Sequence, residues 1–224
     1  ANAMRDAVGM DISDNCFGTG DTVRLETGNI NSLHFGFNTR FDMYGGSMSQ
    51  ASRDVRYAPA ANVTRDGASA MGLPRDDCHA SGTCGGHNGE VGDGSWDILA
   101  YMEANHASPR HLTLGSTTYS FDYRKGRVSP AIPSRYAVYR WEIDSNNIPA
   151  GGTPTAHHSG ASTAVADRRV MPVAVLNCAA LEASGGMRNR DLPVETFVDI
   201  FLTEPVGRGS ESTIYGEIVG ETIK

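Results

Sequence analysis

The sequence predicts an α+β fold, β-rich, built on a mixed or antiparallel sheet with few short helices and a long loop excursion held by disulfides. Three observations predict it. Several segments alternate polar and apolar residues, one segment has the spacing and caps of a helix, and a glycine-rich stretch without periodicity carries two of the four cysteines. With 224 residues, the chain is long enough to bury a real core, and it is expected to form a single exported domain over residues 1–224.

Thr22 to Thr27 alternates and stops at Gly28-Asn29, which reads as a strand ending in a turn. Ser32 to Phe41 places Leu33, Phe35, Phe37 and Phe41 at alternate positions, so it reads as a second strand and a hairpin or sheet-edge partner of the first. From Gly45 to Gly94 the chain is rich in Gly, Ser, Asn, Asp and Pro, and a long irregular excursion is expected there. Ser95 to His106 is the predicted helix. Ser95 serves as its cap, Asp97 favours its positive end, Trp96, Leu99 and Met102 share a face with Ala100 beside them, and Pro109 follows the stop.

Tyr136 to Asp144 alternates and is rich in aromatic and β-branched residues, so it reads as a strand. Pro149 to Gly160 reads as an exposed loop. Arg168 to Cys178 is the most continuous apolar run and reads as a buried strand, with Pro172 placing its first part at an edge or bulge. Thr196 to Glu204 and Ile214 to Val219 read as two closing strands, separated by turn residues from Pro205 to Ser212.

The composition is 39% hydrophobic and 20% charged, with 26 glycines and 10 prolines, which favours a loop-rich globular domain over a helical bundle. The net charge is −7, and the acids are spread along the chain. It therefore offers no basic stripe for a phosphate backbone, and nucleic acid is not an expected partner. Lysine occurs only at Lys125 and Lys224, so nearly all the positive charge is arginine, the residue of fixed bidentate contacts. No apolar run of about 18 residues is present. The chain begins without an initiator methionine, with Asn2 to Val8 reading like a short helix. A fragment or processed product is therefore expected, and a membrane is contacted only through an N-terminal anchor that this fragment lacks.

Cys16, Cys78, Cys84 and Cys178 make an even set that suits an oxidising compartment. Four cysteines allow three connectivities. The short spacer makes Cys78 with Cys84 the easiest ring to close, leaving Cys16 to pair with Cys178 across the fold; such a long crosslink adds about 4 kcal/mol by loop-closure entropy. Four free thiols, or a zinc site of Cys78, His79, Cys84 and His87, are the alternatives, although that spacing matches no usual zinc knuckle. His157-His158 reads as a pair of solvated imidazoles.

Asp76, Asp77, Asp93 and Asp97 place oxygen donors among glycines, so a calcium ion is a candidate cofactor at Gly92 to Asp97; the competing reading makes Asp93 a turn residue and Asp97 a helix-start residue. Asp11-Ile12-Ser13-Asp14-Asn15 begins like the metal-dependent adhesion motif of von Willebrand A domains but has Asn15 where the second serine belongs. The aromatic series Tyr136, Tyr139, Trp141, Phe197 and Phe201 suits a sugar platform less well than a core. No nucleophile elbow, phosphate-cradling loop or metalloprotease helix is present. A hydrolase would have to use acid pairs such as Asp76 with Asp77 or Glu142 with Asp144, which adjacency alone does not set across a substrate.

Ordered stretches along nearly the whole chain resemble the exported portion of TadG-like proteins, assembly factors of the tight-adherence (Flp) pilus. They include Phe35 to Asp42, Pro74 to His79 with Gly82 to Gly86, Gly92 to Asp97, Arg135 to Asp144, Arg168 to Cys178, Phe201 to Pro205 and Tyr215 to Gly220. The resemblance implies a periplasmic or cell-surface structural component, without catalytic residues, that serves pilus assembly or adhesion. Its partners would be pilus or secretion-system proteins, or copies of itself. The alternative reading is a calcium-dependent adhesin or self-assembling extracellular filament subunit.

Overall fold

The computed structural model describes residues 22–24, 32–63, 96–148, 167–177, 191–207 and 214–221, with positions 8 and 179. Among these, helix accounts for 31% and strand for 30%, and every sheet is antiparallel, so the class is α+β but strand does not predominate.

The first strand, β1 (Thr22–Arg24), does not form a hairpin with the segment that follows. It pairs with β6 (Asp191–Pro193), far along the chain, in the register Val23 opposite Leu192. The expected second strand is α1 (Leu33–Asn38), continued by a 3-10 turn at Thr39–Phe41. The physical reason lies in the spacing: Leu33, Phe37 and Phe41 alternate with polar neighbours, yet they are also four residues apart, which puts them on one helical face. All three pack in the same hydrophobic cluster.

The expected excursion beyond Gly45 is, in its described part, packed structure. Three further 3-10 turns, Gly46–Met48, Ala51–Arg53 and Val55–Tyr57, carry Met48, Tyr57, Ala58, Ala60 and Val63 into the interior. Short turns let small and aromatic residues reach the core without regular periodicity, so the sequence pattern shows nothing there.

The predicted helix is α2 (Ile98–His106), two to three residues shorter at its start. Its cap is Asp97, whose Oδ1 accepts the Ala100 amide at 2.9 Å, in place of Ser95. Its buried residues are Ile98, Tyr101, Met102 and Asn105, with Leu99 only partly buried and Trp96 buried ahead of the first turn. It stops at Ala107 in the left-handed conformation, φ 53°, ahead of Pro109.

A three-stranded meander follows: β2 (His111–Leu114), β3 (Thr117–Asp122) and β4 (Arg127–Ser129). The two residues between Leu114 and Thr117 turn the first hairpin, and Gly115 takes φ 57°, which costs glycine nothing.

The strand expected at Tyr136–Asp144 is instead α3 (Arg135–Asp144). Ser134 Oγ accepts the Ala137 amide at 3.1 Å, and the Glu217 carboxylate accepts the Arg135 and Tyr136 amides at 2.9 and 3.2 Å, so the open helix start is satisfied by an anion from another element. This helix is apolar on two sides because two clusters flank it. Tyr136, Tyr139 and Ile143 join the cluster with Phe201 and Met171, and Val138 and Trp141 join the one with Trp96 and Phe121. Burial from both sides removes the one-faced stripe by which a helix is recognised, and aromatic, β-branched content then mimics a strand.

The last sheet runs β5–β7–β8, from β5 (Val170–Val175), β7 (Thr196–Leu202) and β8 (Gly216–Glu221). Pro172 sits opposite Asp199 on β5, an edge strand of this sheet among the described residues, a position that tolerates its missing amide. Gly216 is required by a close approach. A Cβ there would overlap Ile200 Cγ2 and come within 3.2 Å of the Phe201 carbonyl oxygen. Gly216→Ala is expected to lower the urea midpoint, at a cost of about 1–3 kcal/mol; an unchanged midpoint would contradict this packing.

Candidate functional site

Two buried polar assemblies lie where α3 meets its neighbours. Glu142, fully buried on α3, accepts the Tyr101 hydroxyl at 2.6 Å, faces His106 Nε2 at 2.8 Å and also accepts the Asn62 side-chain amide. The donors come from α2 and from the 3-10-rich segment, so a single carboxylate ties three parts of the chain together. Both of its oxygens are engaged, which leaves it a lock more than a base.

Arg169, immediately before β5, is 3% exposed. Its guanidinium lies 4.7 Å from the Phe41 ring centre, 5.5 Å from Tyr139 and 4.4 Å from Phe201, and it donates to the Leu202 and Thr203 carbonyls at 2.8 and 2.9 Å. Burial pulls its pKa down, while Tyr101, Tyr139 and Glu142 act to raise it. A small cavity of about 30 Å³, room for about one water, is lined by Trp96, Tyr101, Arg135, Tyr139, Arg169 and Phe201 among others.

Burial holds the Tyr101 hydroxyl protonated far above the ordinary phenol range, and the Glu142 charge adds to the effect. Burial also raises Tyr139, against the opposing pull of Arg169. Each folded-state pKa is raised, so the associated stability is complete below the unfolded phenol value of about 10 and is lost as pH climbs above it; two such groups give a slope of about 3 kcal/mol per pH unit. Phenolate absorbance is therefore expected to reach its full value only as the fold melts in alkali. Ionisation of all eight tyrosines near pH 10 with circular dichroism unchanged would contradict it.

Of the residues singled out in the sequence, Cys16, Cys78, Cys84, Cys178, Asp76, Asp77 and Asp93 lie outside the described residues, as do His79, His87, Ser95 and His157-His158. Asp97 is described, and its Oδ1 caps α2. Among the described residues no group of three or more His, Cys, Asp or Glu side chains is placed to hold a metal ion, and no helix is long and apolar enough to cross a membrane.

Glu142 and Asp144 do not face a common substrate space. Two residues apart on a helix, they diverge: the first is sealed inside, and the second is 56% exposed in its side chain and bonded to Arg140 at 2.7 Å. Tyr136, Tyr139 and Phe201 meet one another at ring-centre distances of 4.8 to 6.1 Å, which is core packing.

The outer surface presents the edge strand β8, paired only with β7 among the described residues. Ile218 at its centre is 62% exposed, the most exposed large apolar side chain among them. Sequence reasoning placed a strand here but not its edge position, which depends on long-range strand order. Comparison of the chain with protein-family models, with curated proteins and with solved structures finds no match.

Proposed function

We propose that the chain is a non-enzymatic structural domain of an exported bacterial assembly, periplasmic or at the cell surface, that docks through the β8 edge. The single observation that carries this reading is Ile218, 62% exposed on a strand with one free side among the described residues. An extended segment added along such an edge gains main-chain hydrogen bonds and places an apolar side chain beside Ile218, with no charged hot spot needed. The buried carboxylate and guanidinium support the same reading, since their polar atoms serve the domain's own rigidity. The ordered resemblance to TadG-like proteins supplies the setting, tight-adherence pilus assembly, and pilus or secretion components as partners.

Chemical crosslinking in piliated cells followed by capture of the full-length protein tests it. Pilus or secretion-system proteins are the expected adducts. Recovery of none would overturn the reading, and recovery of this chain alone would replace it with the self-assembling filament.

A further inference from the structure

The β2–β4 meander has one face turned to the core and one turned away from it. Leu112, Phe121 and Val128 pack into the cluster with Trp96. The strand period of two therefore sends His111, Ser120 and Ser129 to the opposite face, where the register sets them in one row across the sheet. The next row on that face pairs Asp122 with Arg127. A cleft of about 420 Å³ opens on this side, the size of an ordinary small-ligand pocket, and Arg110, Lys125 and Arg127 line it together with the first row.

The charge of this cleft runs against that of the chain. The protein carries −7, yet the cleft gathers three cationic side chains against one carboxylate, Asp122. That carboxylate is already engaged: it accepts the Lys125 amide at 3.1 Å and lies 3.6 Å from Lys125 Nζ. Arg110 and Arg127 are both exposed, and among the described residues neither guanidinium is paired with a carboxylate. Arg56, Arg135 and Arg140, by contrast, each meet one.

A planar guanidinium presents paired N–H donors that match two oxygens of a phosphate or sulfate group. Beside the two guanidinium groups, the hydroxyls of Ser120 and Ser129 and the His111 ring offer hydrogen bonds to the rest of a polar molecule, and His111 Nδ1 stands 3.2 Å from Ser120 Oγ. We infer that this cleft binds a small polar molecule through a phosphate or sulfate group, Arg110 and Arg127 holding the anion and the His111–Ser120–Ser129 row meeting the hydroxyl-bearing remainder. Three cations in one cleft match a single oxyanion, not the repeating backbone of a nucleic acid. The site is independent of docking at β8, which belongs to a different sheet. In the sequence Arg110-His111 and Lys125-Gly126-Arg127 are separate short basic runs, which only the two hairpins of the meander bring to one cleft.

Titrating the full chain with glucose 6-phosphate, glucose 6-sulfate and glucose at constant ionic strength tests the site by backbone amide resonances and calorimetry. The expected result is saturable binding of at least one ester, at least roughly tenfold tighter than glucose, the equivalent of one charge-assisted hydrogen bond, with the largest shifts within residues 110–129. The tighter ester identifies the group. Arg110→Gln and Arg127→Gln, at exposed positions where substitution leaves the fold intact, should each weaken that ester about fivefold or more and leave glucose unchanged. Arg124→Gln removes an exposed cation of the same turn that does not line the cleft, and it should change ester binding by less than about twofold. Equal affinity for glucose and both esters, no saturable binding of either ester, or an equal loss in Arg124→Gln and the two cleft variants would each overturn the inference.

Discussion

Glu142→Leu is expected to be the most damaging single substitution in the described core. The change keeps an apolar side chain of similar length but strands the Tyr101 hydroxyl, His106 Nε2 and the Asn62 amide around a site that water does not reach. Removing one member of a buried charged network typically costs about 3–5 kcal/mol, because the remaining donors keep their desolvation penalty. For a domain of this size that is a fall of about 6–20 °C in melting temperature. Glu142→Gln retains one acceptor but turns an amide toward donors, so an intermediate loss of about 1–3 kcal/mol is expected. Urea unfolding of the two variants checks the order. If Leu and Gln are equally mild, the network contributes little and the two hydrophobic clusters are held together by packing alone.

Arg169→Met is the second large effect. The methionine can fill part of the space between Phe41, Tyr139 and Phe201, but it leaves the Leu202 and Thr203 carbonyls without their donors and removes the cation from three ring faces. A loss of about 3–4 kcal/mol is expected from the two charge-assisted hydrogen bonds and the ring contacts together. Arg169→Lys keeps the charge but cannot bond both carbonyls as a planar fork does, so about 2 kcal/mol should still be lost. Because Glu142 acts electrostatically on Arg169, the double variant should depart from additivity by about 0.5–3 kcal/mol. Strict additivity would mean that the two assemblies are independent.

The sequence was most informative where a segment is buried on one side or is extended from end to end. The β5, β7 and β8 strands, the edge position of Pro172 and the helix ending ahead of Pro109 follow from local pattern. It misled where two clusters share one element. In α3, Tyr139 and Ile143 serve one cluster and Trp141 between them the other, so apolar residues fall at every second position and the pattern reads as alternation. In α1, a spacing of two contains a spacing of four, and only the tertiary packing of Leu33, Phe37 and Phe41 decides between them.

The β2–β4 meander has a local signal of its own, Gly115-Ser116 between threonine- and leucine-bearing flanks, a two-residue turn that the strand expectations above do not include. Neither Glu142 nor Arg169 could be read as core from composition, since a charge is buried only when partners from distant segments surround it. Those partners, Asn62 and Leu202, stand 80 and 33 residues away. The disulfides and three of the four calcium candidates, Asp76, Asp77 and Asp93, rest on residues outside those described, so they stand as expectations of the chain's chemistry, while Asp97 caps α2.

Docking through β8 is tested most directly by a photo-crosslinking amino acid placed at Ile218 in the full-length protein in piliated cells, beside the same residue placed at Val55, an apolar position that is 42% exposed on a different part of the surface. The expected result is a covalent adduct with another assembly protein from position 218 and little or none from position 55. Equal labelling from the two positions, or none from 218, would show that this strand edge is not where the protein meets its partners.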